Sequence, residues 1–292
     1  MGRTKGEVIF EIFNTIVMIL MMLITLYPFY HVLICSFSDG NYLIQQRGMI
    51  FFPVGFNLKA YELVIKNPNI LSGYRTTLLI VTLGTSLNLL MTSFGAYVLS
   101  RKRFAIRNVM MGFILFTMYF SGGLIPTYLL IYKYLGLGNN LLALILPGAI
   151  STWNLIIMRT NFSEIPDSLE EAACIDGAND FTILFKIILP LSKPVIAVML
   201  LFYGVAHWNS WFSAMIYMRD RNLYPLQLIL REILLLNSSD RMLSGTNMAD
   251  QLSVSESMKY ATIIVATVPI LLVYPFLQKY FVKGLMIGAV KG

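Results

Sequence analysis

The chain has 292 residues, 57% of them hydrophobic and only 13% charged, with a mean hydropathy of +0.70. A soluble domain of this size has no need of so much apolar surface, so the composition indicates a membrane protein with several spans. The formal charge of +7 then reads as lysines and arginines gathered at the cytosolic face, and a nucleic-acid footprint is excluded. Cys35 and Cys174 stand far apart with no metal-ligand neighbour at usable spacing, so neither a disulfide nor a metal site is expected.

The elements follow in chain order. Residues 1–7 are short and polar, and the apolar run at about 8–35 exceeds the ~20 residues a bilayer requires. It lacks a small-residue cleavage site and reads as a retained span, not a signal peptide, kinked at Pro28. Residues 36–73 hold Gly40, Pro53, Gly55, Pro68 and Gly73 and read as a loop with a short interfacial helix. A second span covers about 76–99, where Gly84, Ser86, Ser93, Gly95 and Ala96 let helices approach closely. Asn88, the one amide at its middle, suits an interhelical hydrogen bond or a translocation path.

Arg101, Lys102, Arg103 and Arg107 form the clearest positive cluster and put this connection in the cytosol. Span three, about 109–132, is interrupted by Gly122, Gly123 and Pro126, and a glycine- and asparagine-rich outer turn at 136–140 leads to span four, about 141–158. Span five covers about 194–213. Residues 213–257 are the longest connection, extracytoplasmic, with an amphipathic stripe of Leu226, Ile229, Leu230, Ile233 and Leu234. Ser253 and Glu256 fit a capping box for span six, about 258–278. The tail carries Lys279, Lys283 and Lys291 without an acid. The expectation is an all-α integral membrane protein with six transmembrane helices and both termini cytosolic.

Residues 161–194 differ from everything around them. Six acids (Glu164, Asp167, Glu170, Glu171, Asp176 and Asp180) face only Lys186 and Lys193. Asp167 with Glu170, and Ser168 with Glu171, have the spacing of an N-cap and its capping-box partner. Leu169, Ala172 and Ala173 fall on one thin face, and Gly177 can take the left-handed conformation that ends a helix. Asn179 or Asp180 can cap a second helix with a stripe of Phe181, Leu184, Phe185 and Ile188, stopped at Pro190 and restarted at Pro194. The segment reads as helix, tight turn, helix. An acidic loop on the cytosolic side calls for an explanation, and a protein partner is the natural one.

Glu171-Ala172-Ala173, Asp176-Gly177-Ala178, Phe181, Ile187 and Pro190-Leu191 resemble the EAA loop of ABC-importer permeases. Ile165-Pro166 and Ser168-Leu169-Glu170 are similar to its version in maltose-type sugar permeases, and Phe56–Tyr61, Pro126 to Leu137 and the tail from Gln278 to Gly292 extend the likeness over nearly the whole chain. The resemblance implies a type I ABC importer permease fold, one transmembrane permease domain over residues 1–292. It implies a coupling loop at 161–190, where Glu170, Glu171, Ala172, Ala173, Asp176, Gly177, Ala178 and Phe181 meet a separate ATPase. ATP and Mg would bind there and no cofactor on this chain. A second, related permease, an ATPase dimer, an extracytoplasmic solute-binding protein and membrane lipid would be its partners in a bacterial plasma (inner) membrane, with no nucleic acid. The wording around the loop and the ending point to carbohydrate, an oligosaccharide of the alginate type among the candidates.

The residues themselves agree. No phosphate-binding G-x-x-x-x-G-K-[ST], H-E-x-x-H, C-x-x-C or G-x-S-x-G occurs, so no catalytic residue is expected and the chain is not read as an enzyme. Coupled carriers place ionisable groups deep in their spans, and these spans are nearly free of them, which favours energy supplied from outside the chain over the alternative, a self-sufficient secondary carrier or channel. Tyr203, His207, Trp208, Asn209 and Trp211 suit a sugar path, since rings stack on sugars and amides bond hydroxyls, or equally an aromatic belt at the outer interface. The 213–257 connection is expected to touch a binding protein or to lie on lipid.

Overall fold

Apolar helices of spanning length dominate the chain, as its hydropathy requires. The computed structural model describes residues 4–45, 48–243, 256–273 and 275, and among these no strand occurs. Among the described residues three helices are long and apolar enough to cross a bilayer: α1 (Lys5–Ser36), α4 (Pro68–Ser100) and α14 (Glu256–Val273). Three further candidates are bent pairs: α5 (Arg107–Tyr119) with α6 (Leu124–Tyr134), α7 (Leu142–Gly148) with α8 (Thr152–Ser163), and α10 (Asp180–Leu191) with α11 (Lys193–Trp208), at 110°, 49° and 87°. The chain divides into two compact units, Met1–Pro68 with Leu230–Val268 and Asn69–Ile229 with Pro269–Gly292.

In the first unit, α1 begins with a capping box that the sequence reading had not singled out. The Glu7 backbone N–H donates to the Thr4 hydroxyl, and the Thr4 N–H donates to the Glu7 carboxylate. The helix continues without a break through Pro28, where a kink is expected from sequence. None of its most apolar stretch is buried in the chain. The 36–73 connection contains α2 (Gly40–Gln45) and α3 (Lys59–Lys66). It is pinned by Ser36 and Tyr61, whose hydroxyls lie 2.6 Å apart, and by Phe37 stacked on Phe56. The Ser257 hydroxyl of α14 donates to the Ser38 carbonyl, and His31 meets Tyr260 edge-on. Ser253 of the expected capping box, and Lys279, Lys283 and Lys291, lie outside the described residues.

In the second unit, α4 starts at Pro68, about two turns before the expected start at 76. Its first turns are buried through Ile70, Gly73, Thr76 and Thr77 without being uniformly apolar, which is why hydropathy misses them. They receive the start of α13 (Leu226–Leu243): the Leu226 N–H donates to the Thr77 hydroxyl at 2.9 Å, and a Cβ on Gly73 would fall 2.6 Å from Ile229 Cδ1. Leu226, Leu228 and Ile229 are therefore buried in protein, so the first turn of this amphipathic helix is not free to lie on lipid.

The helix α5 has 13 residues, a rise of about 20 Å against an apolar core of ~30 Å, so it needs α6 to complete a span. The break falls at Gly122–Gly123 as expected, with Gly123 at φ +83°. The break between α7 and α8 at 149–151 follows Pro147 and Gly148 directly, a Pro-Gly signal that the continuous span expected at 141–158 passes over. Beyond α11, α12 (Phe212–Tyr217) joins Ile131, Ala143, Met218 and Leu228 in a small core. The main core gathers Tyr97, Leu155, Met158, Phe162, Ile183, Ile188, Met199 and Tyr203 from α4, α8, α10 and α11. Small residues allow this approach: Ala96 is fully buried and a Cβ on Gly95 would lie 3.0 Å from Leu155.

Candidate functional site

The acidic stretch folds as helix, turn, helix. The first arm is α9 (Asp167–Ile175) and the second is the start of α10. Gly177 stands between them at φ +80°, a conformation that penalises any Cβ. Asn179 caps the second arm by accepting from the Thr182 N–H at 2.8 Å. The first cap differs from expectation. Pro166 occupies it without a side-chain bond, because Asp167 lies inside the helix and pairs with Lys102 at 3.0 Å.

The two arms bury different faces. In α9 only Glu170 and Ala173 are buried, while Leu169 and Ala172 are exposed. In α10 the backbone loosens into a π turn over Leu184–Ile188. That turn rotates the stripe, so Ile183, Leu184 and Ile188 are buried, and Phe181 and Phe185 turn outward with their rings edge-on to Phe94.

Glu170 is the centre of the site. Its side chain is 11% exposed and its Oε2 lies 3.1 Å from Arg101 Nη1, whose own side chain is 5% exposed. The Tyr97 hydroxyl donates to Oε1 at 3.2 Å, and Arg103 Nη2 lies 3.2 Å from the same oxygen. Arg101 also donates to the Phe162 carbonyl and stacks over the Tyr97 ring, leaving its Nε–H without a partner among the described residues. Arg103 reaches across the turn to Asp180 as well. This hydrogen bond to Asp180, ahead of the charges of Asp180 and Glu170, holds the Arg103 guanidinium above its ordinary pKa. The hydrogen bond and charge of Lys102 hold Asp167 below its ordinary value.

Removing one partner of a buried pair such as Arg101–Glu170 costs about 3–5 kcal/mol, whereas the exposed Lys102–Asp167 pair contributes on the order of 1 kcal/mol at most. Arg159 on α8 adds a bond to the Leu99 carbonyl at the end of α4. Three acids are thus engaged within the chain. Glu164, Glu171 and Asp176 remain exposed, together with Cys174 and an 87% exposed Ile175. A cleft of about 390 Å³ runs from Arg101, Lys102 and Arg103 to Glu171 and Ile175, and another of about 490 Å³ lies between Phe94, Val98, Phe104 and Phe181.

A second polar group lies within the helices. The Asn88 amide donates from Nδ2 to the Gly148 carbonyl at 2.5 Å, and its Oδ1 lies 2.6 Å from His207 Nε2. A carbonyl only accepts, which orients the amide and requires the His207 proton on Nε2. The Ser151 N–H donates to the Tyr203 hydroxyl, which also lies 2.7 Å from that of Thr92. Gly148 and Ser151 flank the break between α7 and α8, so Asn88 and Tyr203 satisfy backbone groups freed by the bend. A Cβ on Gly84 would come within 2.6 Å of the His207 ring. Trp208 is buried edge-on to Tyr74, Trp211 is half-buried and Asn209 is exposed.

A sequence profile of the binding-protein-dependent transport system inner membrane component matches residues 89–287, which contain the whole hairpin site and, of the second group, all but Gly84 and Asn88. The chain belongs to this family. Its members lie in the inner membrane, and the several apolar helices fit a multi-pass member. The chain is 41% identical over its full length, and 98% of the other's, to protein LplC of Bacillus subtilis. It is also 41% identical to the polygalacturonan/rhamnogalacturonan transport system permease protein YtcP of the same species, over 94% of this chain and 96% of that one. Among solved structures it is similar to a bacterial ABC transporter involved in the import of the acidic polysaccharide alginate, with a TM-score of 0.86 and 32% identity, over 96% of this chain and 99% of that one.

In this inner-membrane component the sequence reading places the hairpin, its turn and its second cap correctly. It takes Arg101, Lys102 and Arg103 only as markers of sidedness, and the structure brings all three onto the acids of the hairpin. The signal was present as complementary charge, basic after α4 and acidic before α11. Pairing the two needs the tertiary fold.

Proposed function

We propose that this permease is one membrane subunit of an ATP-driven importer of oligosaccharides released from acidic polysaccharides. Six spans are supported by the three long helices and three bent pairs, and cytosolic termini by the basic cluster after α4. The hairpin of residues 161–190 is then cytosolic, next to the basic cluster, and 213–257 is extracytoplasmic. The observation that carries the reading is the exposed surface of α9 and its turn, where Glu171, Ala172, Ile175, Asp176, Gly177 and the neighbouring Phe181 are exposed while Glu170 and Ala173 anchor the helix. An isoleucine 87% exposed among acids fits a protein partner better than solvent. That partner is a separate ATPase, one of two, which supplies ATP and Mg chemistry that this chain has no residues for.

A second, related permease completes the path, and an extracytoplasmic binding protein delivers the sugar. The bare face of α1 is available to such a subunit or to lipid. The acidic sugar class is supported by what the names of YtcP and the alginate transporter say those proteins handle. Within the candidate path we assign sugar contact to Asn209 and Trp211, with His207 and Trp208 behind them, and assign Asn88 and Tyr203 to holding the bent span open.

Co-purification and proteoliposome uptake test this. Glu171→Ala and Ile175→Asp should release the ATPase and abolish uptake, while membrane insertion and pairing with the second permease persist. Uptake that continues with the ATPase removed would establish a self-sufficient carrier instead.

A further inference from the structure

We propose that the Arg101–Glu170 pair, with Arg103 bridging Glu170 to Asp180, is the tie that passes displacement of the hairpin to the membrane helix α4. The inference rests on the reading of the hairpin as a coupling element, and it identifies how motion leaves that element.

Glu170 and Glu171 are adjacent yet differ in burial. Glu171 is exposed, and Glu170 is buried against the end of α4. A carboxylate held by Arg101, Arg103 and Tyr97 at 3.1–3.2 Å cannot also reach a partner in solution. Tyr97 lies in the last turn of α4 and Arg101 directly follows that helix, so two side chains from one membrane helix grip one carboxylate. The Phe162 carbonyl fixes the far side of Arg101 and thereby includes the end of α8.

The first arm of the hairpin has little else to hold it. Its only buried apolar side chain is Ala173, and one methyl group supplies little burial energy. Packed apolar surfaces also slide, whereas a buried, hydrogen-bonded ion pair is directional and its energy rises steeply with separation. Arg103 adds a cross-brace. It joins Glu170 on the first arm to Asp180 on the second, so the two arms cannot open about Gly177 without breaking it. The hairpin therefore moves as one piece with the end of α4. Glu170 and Arg101 are positioning residues, acting through the helices they join.

The test uses the complete transporter in proteoliposomes with its binding protein, taking alginate or galacturonate trisaccharide as the transported probe. The quantity read is ATP hydrolysed per trisaccharide imported. Glu170→Gln keeps the shape and loses the charge. It should leave the ATPase bound and hydrolysing while the ratio rises about 5-fold, within the range that single contacts on a coupling route modulate. Arg103→Gln, at a half-exposed position that leaves the buried pair intact, should raise it about 2-fold by the same reasoning.

An unchanged ratio in both variants overturns the tie. Should Glu170→Gln fail to assemble, Arg103→Gln decides alone. If Glu170→Gln instead sheds the ATPase as Glu171→Ala does, with Arg103→Gln at the wild-type ratio, Glu170 belongs to the docking face and the tie is refuted. Wild-type uptake without the ATPase is a different result, seen before any variant is made. It removes the coupling reading itself.

Discussion

Asn88→Leu separates scaffold from sugar path in one substitution. The side chains have the same number of heavy atoms and the same branching, so the main change is the loss of the polar atoms, with the bulkier leucine adding to the cost at a buried site. Two contacts vanish, to the Gly148 carbonyl at 2.5 Å and to His207 Nε2 at 2.6 Å. Each leaves a polar group without a mate inside the helix bundle, at about 1–3 kcal/mol by the soluble-protein scale. In membranes interhelical bonds contribute less, about 0.6–1.7 kcal/mol each, because the alternative states also find partners. The loss should therefore total about 1–3 kcal/mol. At roughly 2–4 °C per kcal/mol for a chain of a few hundred residues, thermal unfolding of the purified complex in detergent should shift down by about 5 °C. The KM for imported sugar should stay within about 2-fold, since no sugar contact is removed. Thr92→Val is the control. Tyr203 keeps the Ser151 N–H, so the cost should stay below about 1 kcal/mol. A wild-type melting curve for Asn88→Leu with a large rise in KM would refute the argument and place the amide in the path.

The close approach at Gly73 predicts that Gly73→Ala loosens the start of α13. The added methyl would meet Leu226 Cα at 3.1 Å as well as Ile229, a strain of about 1–3 kcal/mol, and hydrogen exchange of the Leu226 amide should accelerate. The Lys102–Asp167 pair gives a pH dependence. The depressed Asp167 pKa contributes stability above its ordinary value of 3.8, lost as pH falls further through the folded value. Exchange protection of α9 should therefore be flat from neutral pH down to about 4 and fall below it, and Lys102→Ala should weaken that acid step.

The parts of this protein visible in its sequence are those set by neighbours a few residues apart. Span-length apolar runs, the Gly122–Gly123 interruption, the left-handed turn at Gly177 and the cap at Asn179 all depend on local backbone geometry and on helix period. The break at 149–151 has a local mark in Pro147-Gly148, but the side chains that satisfy its freed backbone groups, Asn88 and Tyr203, are 60 and 52 residues away and could not be paired with it from the sequence. The first cap of the hairpin was misread for a related reason. Asp167 has the right spacing for a capping box, but a lysine 65 residues away takes its carboxylate.

By itself the sequence determined that the chain is a helical membrane protein, where its apolar segments lie, and that one acidic hairpin interrupts them. Residue identity alone sets hydropathy and turn conformation. Only the tertiary structure decided which acids face inward. Glu170 and Glu171 are the same residue type side by side, and the difference between them is made by Tyr97 and Arg101, brought from 73 and 69 positions away, because electrostatic attraction depends on distance in space and the order of the chain does not reveal it.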